Sequence, residues 1–449
     1  MIITQEDLRT VGSVLERARE KGAQAARATL TRSREEMVAT LDGEVDRTTS
    51  CADSSLSLAL FVDGRYGTFS TNKLDAEALE AFLERCIGIV RMMAPDPFRR
   101  LPAPERLCRA AVTGREMEIA DPAWASITPE RRIKAALDSS LHSQGLPLEG
   151  EGWALISEEG EYSDSCYDTY VADTQGLSCR HTETCHDYGV EVTIEDSSGE
   201  KHNSYHWHSA PLLADLDAGG CGVEALRKAA SRIGSEAVES GKYTCVLDTE
   251  VASKVVSPVL SALGGYSLQQ NNSFLLGSLG KNLFPEGLTL MDCPHLKGQT
   301  GSKLFDSEGV ATSGMPVIER GKVCTYFLNT YMAGKLGMSP TVEEAARPRV
   351  MPWPRPGMQR EDILRECREG ILVTDFNGGN CNMATGDFSY GVEGFLFRDG
   401  KIARPVGEML MTGNFLSLWQ GLLCAGDDAR VCMSKLIPTL AFSNVDFNG

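Results

Sequence analysis

The sequence predicts an α+β fold, with a helix-braced N-terminal α/β domain and a C-terminal domain of mostly antiparallel, curved β-sheet with a few helices. Three observations predict it. Segments of helical period and segments of strand period are segregated along the chain and do not alternate as regular βαβ units. From Leu288 onward, strands and glycine-punctuated turns dominate. At 449 residues, the chain exceeds what one ordinary core holds. The main boundary is expected near residue 220, giving domains 1–220 and 221–449, with a connector near 94–124.

Thr4-Gln5-Glu6-Asp7 is a capping-box start, and Leu8, Val11, Val14, Leu15 and Ala18 then recur at helical spacing up to Lys21-Gly22. Arg27–Thr31 and Glu36–Leu41 alternate as strands, and Leu56–Val62 is a further strand closed by the turn Asp63-Gly64-Arg65. Leu74–Met93 is an amphipathic helix stopped by Pro95-Asp96-Pro97. Ile127–Ser143 is a helix with Pro129 in its first turn. Gly152–Thr193 carries short alternating runs, an antiparallel sheet signal. Asp215–Gly220 is a loop and Val223–Glu239 a helix. Thr244–Leu247 is a strand, followed by a helix at Glu250–Leu263.

Composition narrows the function. Apolar residues make up 42% and charged residues 24%, as in soluble globular proteins. No run approaches the roughly 18–20 apolar residues that span a bilayer. Met1–Asp7 shows neither the basic nor the apolar region of a signal peptide. A cytoplasmic protein with no membrane contact is expected. Net charge is −18 and there is no basic stripe, which disfavours direct nucleic-acid binding. The fourteen cysteines form no CxxC pair and read as reduced, buried thiols. There is no GxxxxGK[ST], no GxGxxG opening a helix and no GxSxG.

Two blocks carry the most information. One runs from Asp292-Cys293-Pro294 through Phe305-Asp306-Ser307-Glu308-Gly309-Val310 to Gly321. The other spans Val373-Thr374-Asp375-Phe376-Asn377-Gly378-Gly379 and Thr385-Gly386-Asp387-Phe388-Ser389-Tyr390-Gly391. With Ser273-Phe274, Thr330-Tyr331, Gly394-Phe395, Gly400-Lys401-Ile402 and Gly413-Asn414, their order resembles the TldD/PmbA family, also called modulators of DNA gyrase. The resemblance covers most of the chain. It implies a two-subunit zinc-dependent peptidase of the cytoplasm acting on peptides or unfolded proteins. A TldD-like subunit carries HExxxH on a helix. There, two imidazoles hold Zn²⁺ and the glutamate activates water. A PmbA/TldE-like subunit lacks that motif.

This sequence has no HExxxH, and no histidine lies between His208 and His295. After the strand Thr244–Leu247, Ser257 and Ala262 stand where the histidines belong, and Pro258 stands near the glutamate. The chain therefore resembles the non-metal subunit. It is expected to have no catalytic residue and no cofactor of its own, with zinc held by a TldD-like HExxxH partner in a heterodimer. The alternative is a stand-alone homodimeric binding or scaffold protein without peptidase activity.

Other residues could still contribute. His202, His206 and His208 form the single histidine cluster. Convergence of all three would make a metal site, whereas the preceding turn Asp196–Gly199 suggests an exposed hairpin. Cys432 lies where the metal-bearing subunits are expected to supply a cysteine ligand, and here reads as a core thiol. Ser302, Asp306 and Glu308 are candidates for a substrate channel or a partner contact. So are Asn377, Gly378, Gly379 and Asp387, because glycine lets a ligand or partner backbone approach closely.

Overall fold

The computed structural model describes residues 2–142, 145, 148–217 and 219–449. It has an N-terminal mixed α/β part and C-terminal curved and closed sheets with scattered helices. The chain divides into two compact units, Met1–Ala230 with His295–Thr312, and Ser231–Pro294 with Ser313–Gly449.

In the first unit the elements are α1 (Gln5–Glu20), β1 (Ala25–Leu41), β2 (Glu44–Val62), β3 (Arg65–Thr71), α2 (Ala76–Met92), α3 (Pro129–Asp138), β4 (Glu149–Gly150), β5 (Trp153–Asp173), β6 (Ser178–Asp196), β7 (Lys201–Ala210) and α4 (Cys221–Ala230). The strands run β3-β2-β1-β5-β6-β7, with β4 paired to β5. All of these pairings are antiparallel.

The two strands expected at Arg27–Thr31 and Glu36–Leu41 are one. The polar middle, Ser33-Arg34-Glu35, stays extended because β2 and β5 hold it from both sides. Two-residue turns shape the sheet. Asp42 (φ 48) and Gly43 (φ 81) join β1 to β2, and Asp63 (φ 52) and Gly64 (φ 70) join β2 to β3. Positive φ at both central residues matches the right-handed strand twist.

The Thr4 capping box forms as expected, with Asp7 as its reciprocal partner. Val11, Val14, Leu15 and Ala18 of α1, with Leu79, Leu83, Ile87 and Val90 of α2, bury against Leu56, Leu58 and Leu60. Each buried valine, leucine or isoleucine among them contributes about 1.5–3 kcal/mol.

Within the expected connector, Ala111, Gly114 and Ile119 accept hydrogen bonds from the backbone N–H groups of Arg180, Thr182 and Thr184. That stretch of β6 lies beyond its pairing with β7, which covers His186–Glu195. The third helix is shorter than expected and begins at its Thr128 cap. Ser143, its expected end, lies outside the described residues. The helix expected to reach Glu239 stops at Ala230, and the chain turns at Gly234 with φ +74.

The second unit contains β8 (Gly241–Leu247), α5 (Ser253–Ala262), α6 (Gly265–Gln269), β9 (Leu290–Asp292), β10 (Met315–Glu319), β11 (Lys322–Val323), α7 (Thr330–Leu336), β12 (Pro348–Val350), α8 (Arg360–Cys367), β13 (Gly370–Cys381), β14 (Asp387–Arg398), β15 (Lys401–Asn414), α9 (Phe415–Gln420), β16 (Leu422–Ala425) and β17 (Leu440–Asn448). A small sheet orders β11-β10-β9-β12. In the larger one, β17 pairs with both β8 and β15, so β15-β14-β13-β8-β17 closes on itself and β16 hangs from β17. Among the described residues, only β8 and β13 run parallel there. Val246, Leu372, Phe397 and Ala441 pack with Met358, Ile363 and Leu364 in its core.

Candidate functional site

The helix that would carry a zinc motif is α5. It follows β8 after a short turn anchored by Asp248, whose carboxylate also pairs with Arg360 at 2.8 Å. Val255, Val256, Pro258, Val259 and Ala262 are buried. Ser257 is the only hydroxyl among the three positions of interest, and Pro258 and Ala262 offer no donor atom at all. Zinc needs thiolate, imidazole or carboxylate ligands, so α5 does not fit the ion.

Beside α5, the far half of β13 is open. β8 pairs only with Ile371–Val373. Among the described residues, no strand pairs with Asp375–Cys381 on that side. Asn377, Gly378 and Gly379 lie in this half, and all three are exposed. Asn377 donates to Glu393 at 3.0 Å, and Arg232 bridges Glu393 (2.6 Å) and Asp375 (3.0 Å). Lys254, from α5, lies 5.1 Å from the Tyr390 ring centre and 5.9 Å from that of Phe376, within cation–π range. A main-chain edge, the Lys254 ammonium and two aromatic rings thus meet at one place.

The close approach expected at Gly379 is made within the sheet. At φ +96, an added Cβ would fall 2.1 Å from the carbonyl oxygen of Ser389. Asp387 sits at the start of β14, where Asn414 and Thr385 donate to it at 2.9 and 2.7 Å. Those hydrogen bonds hold its pKa below the ordinary carboxylate value.

Ser302, Asp306 and Glu308 belong to the first unit. The Ser302 hydroxyl donates to the carbonyl of Leu296 at 2.6 Å. Asp306 accepts from the backbone N–H groups of Glu308 and Val310 at 2.9 and 3.0 Å. Glu308 lies 3.9 Å from Arg27. All three are buried, and these bonds build the loop.

The histidines have separate partners. His202 meets Asp196 at 2.9 Å, His206 meets Lys228 at 3.2 Å, and His208 accepts from the backbone N–H of Asp217 at 3.2 Å. They lie along one face of β7. At about 3.3 Å per residue, His202 and His208 are too far apart to share an ion. Asp196, Glu200 and His202 do bring three ligand atoms within 4.8 Å. However, Asp196 also accepts from Ser198 and from the backbone of Ser198 and Glu200, which makes it the organiser of the β6–β7 turn. Ser198 first, then His202, hold its pKa far below the usual range.

Two features escaped the sequence reading. A cleft of about 640 Å³ on the first unit carries Asp46, Glu159, Glu161, Asp187 and Glu191 with Trp207. Its signal was the spacing of Glu159 and Glu161 at the strand period. In the second unit Arg347 is buried and donates to the carbonyls of Val431 and Met433 at 3.0 and 3.1 Å. Burial lowers its pKa to about 10. It holds the loop of Cys432, a partly exposed thiol and not the core residue expected.

Comparison with known proteins agrees with this architecture. The chain matches the models for PmbA/TldA metallopeptidase domain 1 over 26–90, the central domain over 124–233 and the C-terminal domain over 240–449. It is 26% identical over 411 residues to the metalloprotease PmbA of Escherichia coli O157:H7, covering 90% of this chain and 88% of that one. A crystal structure of a candidate modulator of DNA gyrase from Bacteroides thetaiotaomicron is 35% identical, with TM-score 0.93 and full coverage of both chains. TldE from Thermococcus kodakarensis shares the fold at 18% identity and TM-score 0.81, over 98% of this chain and 100% of that one. With all three family domains present in order and a 35% identical relative matched end to end, this chain belongs to the TldD/PmbA family.

Proposed function

We propose that this chain is the non-catalytic, PmbA/TldE-like subunit of a zinc-dependent peptidase, paired in the cytoplasm with an HExxxH-bearing relative. The observation that carries this reading is the chemistry of α5. It stands in the C-terminal family domain with serine, proline and alanine at the positions that need histidine and glutamate. The zinc and its activated water then belong to the partner, and this chain contributes walls and grip.

The grip is the free edge of β13. An extended peptide adds to a strand edge through main-chain hydrogen bonds, which tolerate many side chains. That suits a system acting on unfolded or precursor peptides. Asn377, Gly378, Gly379 and Asp387 are the contact candidates at this end of the sheet. Ser302, Asp306 and Glu308 act through the shape of their loop.

The test is affinity capture of this chain from its native lysate, followed by zinc analysis and a peptidase assay on an unfolded polypeptide. A one-to-one complex with an HExxxH relative should hold the zinc and the activity, and the lone chain neither. Zinc-dependent hydrolysis by the purified chain alone overturns the reading.

A further inference from the structure

The longest unprotected main-chain edge among the described residues is on β2. Its second half, Leu56–Val62, pairs with β3. Its first half, Glu44–Ser54, pairs with β1 on one side only. Every residue from Glu44 to Asp53 is exposed. The edge is about 35 Å long at roughly 3.3 Å per residue.

Folds guard such edges with proline, lysine, short strands or covering segments. This unit does so elsewhere, where the connector covers β6. On Glu44–Ser54 there is no proline and no lysine.

The sequence of the edge fits itself. Two identical antiparallel strands related by a two-fold axis can pair residues i and j only where i + j is even, because an odd sum would map a hydrogen-bonded pair onto a non-hydrogen-bonded one. The segment holds one base, Arg47, and three acids, Glu44, Asp46 and Asp53. Only Asp53 has the parity to stand opposite Arg47. That register centres the axis on Ser50, sets Arg47 against Asp53 of a second copy twice over, and sets Thr49 against Cys51. Opposite charges in directly facing positions stabilise a pair, and like charges there oppose it.

We propose that the Glu44–Ser54 edge of β2 docks a second copy of this chain by antiparallel strand addition about Ser50, continuing the sheet across the two copies. This goes beyond the subunit role argued from α5 and does not depend on it. A homodimer through β2 uses residues of the first unit alone, whereas the subunit role rests on α5 in the second.

Sedimentation of the full chain tests the proposal with a charge swap. Arg47→Glu and Asp53→Arg each set like charges opposite one another at two places, and each should raise the dimer dissociation constant about tenfold. The double variant restores opposite charges and should return it to near the wild-type value. A second measurement uses Ser50→Cys with Cys51→Ser. Mild oxidation should link two chains at the axis, giving a dimer on a non-reducing gel. Circular dichroism checks that each variant folds. A monomeric wild type, or a dimer indifferent to all three charge variants, overturns the proposal. Neither result touches the α5 reading, which fails only on hydrolysis by the lone chain.

Discussion

At the scale of single residues, the first unit is held by charges buried where no solvent screens them. Asp168 is fully buried and accepts from Arg180 at 2.9 and 2.5 Å, from the backbone of Ile2 and Ile3 at 2.8 and 2.9 Å, and from Thr182 at 3.0 Å. Burial pushes its pKa up, but these donors outweigh burial and leave it lowered. Asp168→Asn keeps the shape and strands the Arg180 charge, so it should cost about 3–5 kcal/mol in a urea unfolding midpoint series. His186 is the pH-sensitive member of this layer. Burial lowers its pKa below 6.5, against the pull of Asp164 and Asp121. A base with a depressed folded pKa takes up its proton sooner when unfolded, so its contribution to stability is present above pH 6.5 and lost as pH falls below it. Urea midpoints at pH 7.5 and 5.5 should therefore fall further in wild type than in His186→Gln. These residues alternate at strand spacing in the sequence, yet nothing there says which acid meets which base. Arg180 and Asp168 meet because β5 and β6 align Thr182 opposite Asp168.

Among elements, the turns were the most legible. Thr4 to Asp7 and Asp63-Gly64 act through neighbours a few residues away, and local chemistry decides them. The same logic reaches Asp42-Gly43 and Asp399-Gly400, whose paired positive φ values (48 and 81, 50 and 73) build the β1–β2 and β14–β15 hairpins. Glycine at position 379 is required for a different reason. Its φ is positive and the strand opposite leaves no room for a side chain. Gly379→Ala should lose about 2 kcal/mol or more of stability, read as a lower denaturant midpoint for the second unit. An unchanged midpoint would show that β13 relaxes around the methyl group. The helix α5 was placed correctly from the sequence, and its missing ligands were plain there. The open edge of β13 beside it was not, because an edge is defined by where the neighbouring strand stops.

For the whole molecule, stability without cross-links follows from size. The chain is long enough to build cores in both units, and all fourteen cysteines are free thiols. Its thermal midpoint should be the same with and without a strong reductant, measured by scanning calorimetry. A fall on reduction would reveal a disulfide contributing a few kcal/mol. No helix among the described residues is long and apolar enough to cross a membrane. The division into units was less legible than the elements. His295–Thr312 is joined in sequence to the second unit on both sides, yet packs with the first, so Ser302, Asp306 and Glu308 left the block in which the sequence set them.

The amino-acid sequence by itself determined the fold class, the helix caps, the hairpin turns and the absence of zinc ligands on α5. Each rests on residue type and short-range spacing, which a linear chain displays in full. The tertiary structure alone decided that the three histidines go to three different partners, that Asp306 builds a buried turn, and that β2 and β13 end in unpaired edges. Those outcomes depend on strand registers and on which segments cover which, and both are set by contacts between residues far apart along the chain.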